Sequence, residues 1–155
     1  MRPCSLPLRA VRLGALLFAA LGASEADSAE SKTKAPALDL KAGQELTIPV
    51  AIVDGRLTLG PTRPSKLGTA QPKDGEITVG LTPGDKTTLL SQVLVTEKTS
   101  APVDFIATGL IGEIKIDERV ICGRTDAPVT MHIGSVSWRV SLNTFTVGKG
   151  DGTCE

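Results

Sequence analysis

The chain has 155 residues, 41% hydrophobic and 22% charged, with 17 basic and 17 acidic side chains, which is ordinary globular composition and enough length for one hydrophobic core. Balanced charge offers no concentrated basic face, which argues against nucleic acid as a partner and against adsorption to an anionic membrane through a polybasic patch. Aromatic residues make up 3% of the chain, with one tryptophan and no tyrosine, too few for the stacking surfaces of carbohydrate or single-stranded nucleic-acid sites or for an aromatic-rich protein interface.

Arg2, Arg9 and Arg12 lead into an apolar run over 13–23 followed by small residues, the pattern of a helical secretory signal peptide. Cleavage is expected after Ala26, with Ser24 and Ala26 as the small residues before the cut, or alternatively after Ala23. The run falls short of the ~18 to 20 residues a spanning helix needs, so no stable membrane insertion is expected once it is removed. The domain plan is therefore a signal peptide over 1–26, a polar flexible leader over 27–37, and a single β domain over 38–155, periplasmic or secreted. Losing 1–26 removes three arginines and Glu25, and the exported part stays close to neutral.

Cys4 leaves with the signal, so Cys122 and Cys154 remain. An even pair in an oxidising compartment predicts a disulfide, worth on the order of 3 to 4 kcal/mol by chain entropy for a loop of about thirty residues.

Past the leader, Leu46, Ile48, Val50 and Ile52 alternate with Thr47, Pro49 and Ala51, and Asp54-Gly55 leads into Leu57 and Leu59. Asp-Gly between alternating runs is a strong hairpin signal, which places Ile52 opposite Leu57 and Val50 opposite Leu59. Pro49 has no amide hydrogen to give to a ladder, so its strand is expected at a sheet edge or with that position turned to solvent.

Residues 61–75 hold several prolines and glycines with Arg63, Lys66 and Lys73, and no hydrophobic period runs across them. Loops of this length inside compact domains are often binding loops or flexible connectors, so Arg63, Lys66 and Lys73 are the candidate contact residues.

Ile77, Val79 and Leu81 read as a strand, and the apolar run over 87–96 reads as a strand covered on both faces, with its threonines and valines favouring strand over helix. Val103, Phe105 and Ala107 supply another inward set. Gly109 and Gly112 mark a bulge or bend. A turn at Asp117-Glu118-Arg119 is expected, because an unbroken strand would point Glu118 inward beside Ile116 and Val120.

Val129, Met131 and Ile133, then Gly134-Ser135, then Val136, Trp138, Val140 and Leu142 read as a second hairpin with a tight glycine turn. In that register Met131 faces Trp138, with the tryptophan inward. Parity breaks again at Asn143-Thr144 before a short strand with Phe145 and Val147.

About eight to ten short strands with turn signals every 8 to 12 residues predict an all-β fold, an antiparallel β-sandwich of immunoglobulin-like or similar kind, with a small β-barrel as the alternative. His132 is the only histidine, and it falls on the polar side of a regular strand, without the strained elbow and orienting group that a serine nucleophile needs. No zinc or calcium spacing and no glycine-rich phosphate loop occurs. The expectation is a non-enzymatic exported domain with no cofactor, no metal and no catalytic residue, binding a protein or another envelope component through loops and strand edges. A secreted hydrolase inhibitor is the alternative, and an enzyme dependent on His132 ranks below both.

Overall fold

The computed structural model describes residues 37–84, 90–135, 137–150 and 153–154. The signal peptide expected over 1–26 and all of the 27–37 leader except Ala37 lie outside these residues, as do Val136 and the first part of the 87–96 run.

Among the described residues there are ten strands and no helix: β1 (Leu38–Lys41), β2 (Gln44–Val53), β3 (Arg56–Leu59), β4 (Arg63–Lys66), β5 (Glu76–Leu81), β6 (Leu90–Lys98), β7 (Val103–Ile111), β8 (Ile114–Ile121), β9 (Val129–Ser135) and β10 (Arg139–Val147). They form two antiparallel sheets, β1-β10-β7-β8 and β3-β2-β5-β6-β9, with β4 also pairing β2, as expected for an all-β sandwich or barrel. The period-2 alternation sends one side of each strand inward. Ile48 of β2, Ile77, Val79 and Leu81 of β5 and Val93 of β6 face Phe105 and Ala107 of β7 and Val140 and Leu142 of β10, all essentially sealed from solvent. Each such aliphatic side chain contributes about 1.5 to 3 kcal/mol by leaving water. Phe145, inside the bulge between Asn143 and Thr146, stacks on Phe105 with ring centroids 5.2 Å apart.

The Asp54-Gly55 hairpin has the expected register, with Ile52 opposite Leu57 and Val50 opposite Leu59. Both turn residues carry positive φ, 50° and 72°, the geometry whose twist matches the flanking strands. Pro49 does not lie on an edge strand. β2 is flanked by β5 on one side and by β4 and then β3 on the other, and Pro49 falls in the gap between their ladders at 44–47 and 50–53. The missing amide hydrogen thus costs no strand pair.

The second expected hairpin is not formed. β9 pairs β6, whereas β10 pairs β7 and β1, so the chain crosses from one sheet to the other between them. Gly134, with φ 49°, is the extra residue of a bulge against β6, where Leu90 faces Ser135 and Ser91 faces Ile133. At the crossover Ser137 turns inward and Trp138 outward, 1% and 67% exposed. The Ser137 hydroxyl donates to the Ile133 carbonyl at 3.2 Å, while its own carbonyl accepts from Ser91 Oγ at 3.2 Å. Gly109 packs against this serine so closely that a Cβ there would lie 2.6 Å from its Oγ. An indole has no room on that side.

β8 also differs from expectation. It runs unbroken through 117–119, and the turn falls at Gly112-Glu113, where Ile111 faces Ile114. Ile116 is the extra residue where Leu110 faces Lys115 and Gly109 faces Asp117. This bulge reverses the parity, so Glu118 points outward, where it accepts from Thr108 Oγ1 at 3.1 Å and pairs with Lys115 at 2.7 Å. Asp117 takes the inward position instead.

Cys122, just past β8, is bonded to Cys154 across a sequence separation of 32. The loop so closed contains β9, the crossover and β10.

Candidate functional site

The expected contact loop is a built structure. Residues 63–66 form β4 against the start of β2, with Arg63 opposite Thr47 and Lys66 opposite Gln44. Residues 67–70 then fold over the outer face of β2, β5 and β6. There Leu67 rests on Gly80, where any side chain would collide with it, and Pro72 is buried.

Glu45 holds this segment. It lies on β2 with outward parity, yet it is only 4% exposed. One carboxylate oxygen accepts from Ser65 Oγ at 3.1 Å, from the Thr69 amide at 2.9 Å and from the Ala70 amide; the other accepts from the Gly68 amide at 3.0 Å. Burial works to raise its pKa, but these donors together outweigh it and hold the carboxyl below the ordinary range. The loop amides replace the water that the buried charge gives up. Beside the segment lies a cleft of about 190 Å³ lined by Leu67, Ala70, Gly80, Leu94 and Thr96.

The three candidate cations are not gathered into one patch. Arg63 is paired with Glu76, whose other oxygen accepts the Lys73 amide at 3.0 Å. That amide and the Arg63 guanidinium hold Glu76 below its usual pKa. Lys66 sits at the opposite end of β4, on the rim of a cleft of about 490 Å³ with Gly43, Gln44, Pro64 and Ser65. Both lysines are exposed, and neither ammonium forms an ion pair among the described residues.

His132 is exposed on the outer face of β9, opposite Gln92 of β6. Among the described residues no group of three or more His, Cys, Asp or Glu side chains is placed to hold a metal ion, and no helix is long and apolar enough to cross a membrane.

One carboxyl that the sequence did not single out is Glu97, inward on β6 and 4% exposed. One oxygen accepts the Val103 amide at 3.3 Å, and among the described residues the other has no hydrogen-bond partner. Burial pushes its pKa up to about 7, opposed by the Val103 amide and reinforced by the Asp104 charge. Its alternation position, in line with Val93 and Val95, is the one signal in the sequence that it points inward.

Comparison with protein-family models, with curated proteins and with solved structures found no match.

Proposed function

We propose that this chain is an exported, non-enzymatic binding domain that presents the 63–73 segment, with Lys66 and Lys73 as its free cations, to a protein of the cell envelope. The observation that supports this reading is the Glu45 carboxylate held by the amides of Gly68, Thr69 and Ala70. A loop ordered before binding loses little conformational entropy on contact, so a small surface yields useful affinity. The Cys122–Cys154 bridge suits an oxidising compartment, periplasmic or extracellular. The same preorganised loop also favours inhibition of a hydrolase with an acidic cleft as a second reading.

The test is crosslinking and capture from envelope extract with the wild type, with Lys66→Glu/Lys73→Glu and with Glu45→Gln. Loss of the same partner in the charge-reversed protein, and weaker capture with the loosened loop, is the expected result. Identical partners for all three proteins would remove the loop from consideration. A panel of lysozymes and proteases, assayed at low and high salt, separates the inhibitor reading from the envelope one. Activity that disappears with His132→Ala would replace both by an enzyme.

A further inference from the structure

Trp138, Ile114 and Ile111 are 67%, 69% and 42% exposed, and they stand together at one end of the sandwich. Ile111 and Ile114 face each other across the β7–β8 turn, and Trp138, just ahead of β10, donates its amide to the Leu110 carbonyl at 3.2 Å. The tip is braced. Arg139 donates to the Gly112 carbonyl at 3.1 Å and pairs with Glu113 at 3.3 Å and Asp39 at 3.8 Å, while the Trp138 carbonyl accepts the Ala42 amide at 3.0 Å. The three apolar side chains are therefore held out in water by a fixed backbone.

We propose that this tip docks into the interfacial layer of a lipid bilayer, with the indole at headgroup level and Ile111 and Ile114 against the acyl boundary. Two features select this occupant. The three side chains expose on the order of 400 Å², about half of the ~800 Å² per partner that a stable protein interface buries. A bilayer needs no matching surface, because partition scales with the apolar area immersed. The rim is also balanced: Lys41, Arg139 and Lys115 stand on these strands against Asp39, Glu113 and Glu118, and five of these six are joined in the ion pairs of Arg139 and Lys115. An oppositely charged protein patch gains little there. Tryptophan, moreover, is enriched at membrane interfaces, where its apolar body and polar N–H are both accommodated. This site is separate from the basic loop and does not depend on it.

Trp138 is the only tryptophan in the chain, so intrinsic fluorescence reports on the tip alone. The exported protein is titrated with phosphatidylcholine vesicles, with and without bromine-labelled acyl chains. A blue shift, quenching by the shallow bromines, and partition unchanged within about twofold between 0.1 and 0.5 M salt are expected, since screening acts on charge and not on apolar transfer. Ile114→Ser, an exposed change that leaves the reporter in place, lowers partition at least tenfold. Trp138→Ala does the same by co-sedimentation, while Lys66→Glu/Lys73→Glu leaves it unchanged. No spectral change at millimolar lipid would overturn the proposal. So would a blue shift that depends on protein concentration without lipid, which identifies a second copy as the occupant, and so would binding confined to anionic vesicles and abolished by salt.

Discussion

The Asp117 carboxylate accepts the Gly134 amide at 2.9 Å, tying β8, an edge strand of one sheet, to β9, an edge strand of the other. The same carboxylate accepts from the Glu118 amide at 2.8 Å and Arg119 Nε at 3.1 Å. Burial raises its pKa, but these donors win and hold it below the usual aspartate value. Asp117→Ala is expected to cost about 1 to 3 kcal/mol, the price of leaving a buried-edge amide without its acceptor, and Asp117→Asn less. Urea denaturation measures both. Because the folded-state pKa is depressed, this contribution is present above the ordinary aspartate range and is lost as pH falls through the depressed value.

Glu45→Ala is expected to destabilise by about 2 to 4 kcal/mol, since Gly68, Thr69 and Ala70 lose an ionised acceptor together. The local effect is more specific. Hydrogen exchange of those three amides should rise at least tenfold, with the core amides of β5 and β7 affected only through global stability. Its pKa too is lowered, so in the wild type the loop amides stay protected at neutral pH and lose protection only at acid pH below the ordinary glutamate range. Unchanged exchange in Glu45→Ala would show that β4 alone holds the segment.

Glu97 has the opposite sign. Its pKa is raised from 4.5 to about 7, so between these values the folded protein keeps a proton that the unfolded chain has released. Raising pH through that window favours unfolding. A shift of this size corresponds to ~3 kcal/mol in full, of which roughly 2 falls between pH 5 and pH 8. Wild-type stability is expected to fall by that amount from pH 5 to pH 8, while Glu97→Gln stays nearly flat across the window. Equal slopes for the two proteins would contradict the assignment.

Reduction of Cys122–Cys154 should lower stability by about 3 to 4 kcal/mol if chain entropy dominates. Differential scanning calorimetry with and without reductant, or of a double serine variant, measures it. A loss below about 1 kcal/mol would mean that β10 is already fixed by its pairing with β7 and β1.

Much of the architecture was legible because alternation and turn chemistry are local. Asp54-Gly55 set its own register, and the inward sets around Ile77 and Phe105 were readable from parity alone. The 129–142 stretch misled because alternating residues look alike whether two strands lie side by side in one sheet or face each other across the core. Gly134 uses its positive φ for a bulge, not for a turn. The single residue Ile116 undid the reading of Glu118, since one insertion reverses the parity of everything beyond it. The 61–75 segment stood out by its composition. Its anchor did not, because Glu45 meets Gly68 only after the chain has folded back, and Trp138 was placed inside for the same reason that the hairpin was drawn.

Leu38 of β1 lies opposite Leu142 of β10, so the earliest ribbon of the fold waits for the latest. Between them every other strand has to be made and threaded past. Such distant pairing predicts slow maturation, and until it is complete the exposed flank of β10 is open to the β1 of a neighbouring molecule, which makes strand exchange the characteristic misassembly of this domain at high concentration.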